Sequence, residues 1–147
     1  MNLNQVTANL DFVTSSIHSL NVNSKMLRIS NANKREFGLD IKCSKPSTTD
    51  NIKYGKLLMH VDVSVMHENA DLAPDTFDLV IEGVFSSPAD ISDDEFMSLL
   101  NINGGAALYS IARAKIETIS SLTYSDGKIL LPMINIIQYY QERNSSK

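Results

Sequence analysis

Through the middle of the chain, apolar and polar residues alternate with period two. Phe37, Leu39, Ile41 and Cys43 are separated by Gly38, Asp40 and Lys42, the pattern of a strand with one buried face. The same alternation runs through Leu57, Met59, Val61, Val63 and Val65, with Leu58, His60, Asp62 and Ser64 on the other face. It returns in Phe77, Leu79, Ile81, Gly83 and Phe85, set against Asp78, Val80, Glu82 and Val84. The intervening KPSTTDN (45–51) and ENADLAPD (68–75) read as a turn and a loop. Connections this short favour neighbouring antiparallel strands. Upstream, Ile17, Leu20, Val22, Leu27 and Ile29 predict a first strand over 17–29, and residues 1–16 read as a mobile arm or a short helix. Cys43 falls on the apolar face of its strand and is expected to be a packed thiol.

After Phe85 the period changes. Ser92-Asp93-Asp94-Glu95 has the spacing of a capping box, so a helix is predicted to begin near Asp93. Its acids suit the positive end of the helix dipole. Gly104-Gly105 predicts a kink or break, because each glycine costs roughly 1 kcal/mol relative to alanine inside a helix. Beyond it, Tyr109, Ala112, Ile116, Ile119 and Leu122 follow helical spacing as far as Ser125-Asp126-Gly127. Pro132 suits the first turn of a last helix whose apolar stripe is Met133, Ile136, Ile137 and Tyr140. Strands followed by helices read as α+β: a four-stranded antiparallel sheet, then a long kinked helix and a shorter C-terminal helix, in one domain over 1–147.

Composition narrows the possibilities. A chain of 147 residues with 43% apolar and 20% charged positions can build a core without staples, and is neither a disordered tail nor a membrane protein. The longest nearly uninterrupted apolar run, Ile129 to Ile137, is too short to span a bilayer. No secretory signal opens the chain, and a single cysteine excludes an internal disulfide framework and a Cys-rich zinc site. The expected compartment is the cytoplasm. The net charge of −4 is unevenly spread, since residues 57–112 hold ten acids and no Lys or Arg. Phosphate would be repelled there, so nucleic acid is not an expected partner.

Candidate chemistry is sparse. His60 and Asp62 lie on one side of a strand with His67 and Glu68 at its end, but spacing alone does not bring three ligands together, and a polar outer face accounts for them. There is no Gly-x-Ser-x-Gly elbow, phosphate-cradling loop or dinucleotide fingerprint. No catalytic residue, metal or cofactor is expected. Two surfaces remain. Asp62, Asp78 and Glu82 share one sheet side with His60 and no local basic partner, a docking face for a basic protein segment. The second is apolar excess: Phe37, Leu39 and Ile41 with Tyr124, Met133, Ile136, Ile137 and Tyr140 exceed what a four-strand, two-helix layer needs.

An ordered set of segments resembles the SecB family of protein-export chaperones. Gly83-Val84-Phe85-Ser86 is similar to the family's Gly-Ile-Phe-Ser, and Leu108-Tyr109-Ser110-Ile111-Ala112-Arg113 to its Leu-Phe-Pro-Tyr-Ala-Arg. Ile116-Glu117-Thr118-Ile119-Ser120 follows, and Ile129-Leu130-Leu131-Pro132 stands in place of Leu-Asn-Leu-Ala-Pro. The resemblance covers roughly residues 54–142; Glu82 replaces a family glycine, and the acidic tail of the better-known members is absent.

The resemblance implies a homotetramer, a dimer of dimers with the long helices buried between sheets, and no enzymatic activity. It implies grooves for unfolded clients lined by Phe37, Leu39, Ile41, Tyr124, Met133, Ile136, Ile137 and Tyr140. In the family the acidic outer face docks the SecA motor, and Asp78 falls near a matching acid. Another branch serves a single antitoxin as its dedicated chaperone. The expected function is therefore an ATP-independent holdase for preproteins or an antitoxin. The competing reading is an oligomeric adaptor that recruits a basic partner through the acidic face.

Overall fold

The computed structural model describes residues 1–3 and 7–146. Five strands form one antiparallel sheet: β1 (Asp11–Asn23), β2 (Arg35–Cys43), β3 (Ser47–Thr49), β4 (Ile52–Val65) and β5 (Asp75–Pro88). The order is β1-β5-β4-β2, and β3 shares the β4 edge with β2. The expected four strands are present, and β3 is a three-residue addition inside the 45–51 turn. It closes on β4 through Asp50 and Asn51, both at positive φ (52° and 61°), the backbone a tight two-residue hairpin requires.

The long central strands behave as their alternation dictates. Met59, Val61, Val63, Phe77, Leu79 and Ile81 are all at most 1% exposed, on the face that the helices cover. Helix α1 (Asp93–Leu99), a π-helical stretch Leu100–Gly104 and helix α2 (Gly105–Thr123) follow one another without interruption. The helical path therefore continues through Gly104-Gly105 without a break, and the expected irregularity takes the form of the π-helical stretch that ends at Gly104. The glycines serve close packing: a Cβ on Gly104 would lie 3.3 Å from Leu57, and one on Gly105 would lie 3.3 Å from Ile136. Ser92 caps α1 as its spacing predicts, its hydroxyl accepting from the Glu95 amide at 3.2 Å. Phe96, Leu100, Leu108, Ala112 and Ile116 fill the space over β4 and β5.

Three expectations need correcting. The first strand is Asp11–Asn23 rather than 17–29. Bulges at Val13 and His18 shift its register against β5, so Phe12, Ile17, Leu20 and Val22 share the helix-side face at irregular spacing that hides the period. Residues 11–16 of the presumed arm are thus strand, while residues 4–6 lie outside the described residues. The last helix, α3 (Ile136–Ser145), starts at an Asn135 cap whose side-chain oxygen accepts from the amides of Ile137 and Gln138. Pro132 lies ahead of it, in an extended segment moored to α2. There the Tyr109 hydroxyl donates to the Pro132 carbonyl (2.7 Å), Arg113 Nε donates to the Leu131 carbonyl (3.0 Å) and the Ile129 amide donates to Ser120 Oγ (2.8 Å). Finally, Cys43 is exposed, because it ends β2 on an open sheet edge. Among the described residues, no helix is long and apolar enough to cross a membrane.

Candidate functional site

Strand β2 is a sheet edge. Met66 and Ser44 donate their amides to the carbonyls of Lys34 and Lys56, so the even-numbered residues of β2 bond β4 and the odd-numbered ones turn their N–H and C=O groups outward. At Ile41 those outward groups are covered by α3. The Ile41 amide donates to the Tyr139 hydroxyl at 3.0 Å, and Arg143 donates to the Ile41 carbonyl while approaching Asp40 at 3.4 Å. Nearer the start of the strand, Phe37 is 42% exposed.

The eight apolar residues expected in a groove fall on β2, on the connection between α2 and α3, and on α3 itself. Ile41, Ile136 and Tyr140 come together where α3 crosses the sheet end, with Ile136 against Gly105. Leu39 is half-buried against the core. Tyr124 sits at the other end, its ring 5.9 Å from that of Phe77, which pairs with Val63, the partner of Phe37. Exposure divides the set. Met133 is 81% exposed, Ile137 50% and Phe37 42%, whereas Ile41, Tyr124 and Ile136 are buried. Three of the eight therefore serve the core, and Phe37, Met133 and Ile137 stand open at the surface.

A buried acid that the sequence reading passed over anchors one end. Asp75 is 1% exposed. It accepts from the Ser24 hydroxyl, the amides of Lys25 and Met26, and the Tyr124 hydroxyl, and it lies 3.3 Å from His67 Nε2. Burial pushes its carboxyl upward, but the donated hydrogen bonds outweigh that and hold it below the ordinary carboxylate value. Burial, with the adjacent Asp75 charge, raises the Tyr124 phenol. The available signal was phase: Asp75 falls on the same odd-numbered face as Phe77, Leu79 and Ile81.

The opposite sheet face carries the predicted docking acids, with one correction: they have basic neighbours. Glu82 lies 3.6 Å from both His18 and Lys56, and Asp78 lies 2.9 Å from His60. Lys56 reaches Glu82 from β4, ahead of the Leu57–Val65 alternation, and His18 reaches it from β1, whose pairing with β5 the sequence did not reveal. Asp62 stands opposite Asp78 and spreads over Gly38, where a Cβ would collide with its carboxylate at 2.1 Å. Among the described residues, no group of three or more His, Cys, Asp or Glu is placed to hold a metal ion.

A further apolar surface flanks β1. Phe12, Ile17, Leu20 and Val22 are each 38–49% exposed although they point to the helix side. A cleft of about 460 Å³ opens there between Ile17 and the Ile111, Ala114 and Ile119 face of α2.

No protein-family model and no curated protein sequence matches this chain. Solved structures do. The chain is similar to the Mycobacterium tuberculosis SecB-like chaperone Rv1957, solved in complex with a ChAD peptide from the HigA1 antitoxin Rv1956. The TM-score is 0.61 at 11% identity, over 86% of this chain and 91% of that one. A protein of unknown function from Streptococcus agalactiae aligns at a TM-score of 0.49 and 10% identity, over 84% of this chain and 97% of that one. The chain therefore has a SecB-like fold.

Proposed function

We propose that this protein is an ATP-independent holdase that keeps unfolded or antitoxin-like polypeptide segments from aggregating and performs no covalent chemistry. The observation that carries the reading is the strip along β2 and α3. Phe37 on the β2 edge, and Met133 and Ile137 around the start of α3, are exposed apolar side chains on a fold similar to that of a SecB-like chaperone solved with an antitoxin peptide. Apolar client segments leaving water gain about 25 cal/mol per Å² buried. Several modest contacts on one assembly add through effective concentration, and by mass action the unfolded client is held unfolded.

A homo-oligomer belongs to the same proposal. The uncovered helix-side face of β1 and the outer face of α2 give a second copy an apolar surface to cover, consistent with a homotetramer in the cytoplasm. An antitoxin-like client is favoured over an export role through SecA. On the acidic face expected to dock a motor, Glu82 is already approached by Lys56 and His18 and Asp78 by His60, and the relative's peptide comes from an antitoxin.

The test is light scattering of an aggregating, chemically unfolded client. A stoichiometric amount of assembled protein should suppress the scattering without nucleotide. Undiminished aggregation of several unrelated clients and of a candidate antitoxin would refute the reading.

A further inference from the structure

Where the helical path meets α3, two polar oxygens are buried without a hydrogen-bond partner among the described residues: the side-chain carbonyl of Asn101 and the hydroxyl of Tyr140. Such orphans are rare in native proteins, because each has given up water for nothing in return. Here both residues line the same cleft, about 500 Å³ in volume, which Ile41 and Arg143 also border. Asn101 lies in the π-helical stretch Leu100–Gly104, a geometry that recurs at functional sites. Gly105 follows immediately and makes room for Tyr140, whose hydroxyl lies 3.8 Å from where a Cβ would stand.

The two oxygens differ in what they require. The Asn101 carbonyl can only accept. The Tyr140 hydroxyl can donate, and burial holds it protonated well above the usual range. One group that offers an N–H to the first and a C=O to the second would satisfy both. A main-chain peptide unit does so, and an unfolded polypeptide presents one at almost every residue. The element that closes over the pair is lightly held: Ile136 is the one buried residue of α3, and its polar moorings are Tyr139 and Arg143 on Ile41. A small parting of α3 from the π-helical turn therefore admits an extended chain.

Building on the holdase reading, we propose that Asn101 and Tyr140 form a polar anchor that takes one main-chain peptide group of an extended client. The anchor recognises backbone, and the neighbouring apolar strip takes side chains. That division suits a protein serving clients of varied sequence, because the polar contact is available at any register.

The test uses the full chain and a reduced, alkylated, fluorescently labelled polypeptide that cannot fold. Affinity and Tm are measured for wild type, Tyr140→Phe and Asn101→Leu. Tyr140→Phe should weaken binding about five- to tenfold while Tm holds or rises, since the free protein has lost an unsatisfied hydroxyl. Asn101→Leu should weaken binding to a similar degree; should it fail to fold, Tyr140→Phe alone decides. Unchanged affinity with a lower Tm would overturn the proposal, because the hydroxyl would then serve an internal water. If the wild type fails to bind the unfolded probe, the holdase reading falls and the anchor falls with it.

Discussion

The hydroxyl of Tyr124 donates to the buried carboxylate of Asp75 across 3.1 Å, joining the start of the α2–α3 connection to the first residue of β5. The same carboxylate gathers Ser24, Lys25 and Met26 from the β1–β2 connection. One acid thus fixes three chain segments at one end of the apolar strip.

Asp75→Ala should therefore be among the most damaging substitutions in the chain. It would leave the buried Tyr124 hydroxyl and the part-buried Ser24, Lys25 and Met26 donors without their acceptor and cost about 3 kcal/mol, read as a fall in the urea midpoint. The pH dependence has a definite sign. A carboxyl held below its unfolded value contributes stability above the unfolded pKa, and that stability is lost as pH falls through the folded pKa. Wild type should lose stability below about pH 4, and Asp75→Asn should lack that component. Parallel pH profiles for the two proteins would refute this role.

Gly55 marks the closest approach of sheet and helix. A Cβ there would meet Phe96 at 2.7 Å and Leu100 at 2.8 Å, both fully buried. Gly55→Ala should cost about 1–3 kcal/mol through overpacking, measured by thermal or urea unfolding. An unchanged midpoint would mean that α1 can shift without loss.

How much of this was legible follows from where two periods met cleanly. In β4 and β5 every second residue is buried, so alternation located both strands and the sheet face. In β1, the bulges at Val13 and His18 shift the phase, and no fixed-period reading recovers it. Pro132 and the Met133, Ile136, Ile137, Tyr140 stripe read as a helix that starts at Pro132, within the apolar run Ile129 to Ile137. Tyr109, Arg113 and Ser120 of α2 occupy its backbone groups and hold its first part extended, and such long-range bonds leave no local trace. The apolar residues expected in a groove divide by exposure: Phe37, Met133 and Ile137 are open, whereas Ile41, Tyr124 and Ile136 satisfy the core first. Asp75 and Lys53 were both written in phase with the buried positions, a signal that marks structural polar residues.

The exposed helix-side face of β1 predicts its own disruption. Ile17→Lys combined with Leu20→Lys should lower the mass measured by light scattering to that of a smaller species. The fold should persist, since both residues are already about 40% exposed in the single chain (42% and 39%). An unchanged assembly mass would place the subunit contact elsewhere.

Arg143 and Tyr139 hold α3 to the β2 edge through Ile41. Arg143→Ala should speed amide exchange at Ile41 and along α3 by about tenfold, leaving the paired amides of β4 and β5 unaffected. Equal protection of α3 in both proteins would show that its apolar contacts suffice.

The most direct test of the central claim is the affinity for one labelled polypeptide, measured in its permanently unfolded and its folded form. The wild-type protein should bind the unfolded form and ignore the folded one, and Ile137→Asp should weaken that binding about tenfold, as loss of an apolar contact of roughly 1.4 kcal/mol would, with Tm unchanged. Equal binding to both forms, or full affinity retained in Ile137→Asp, would contradict a holdase that works through the β2–α3 strip.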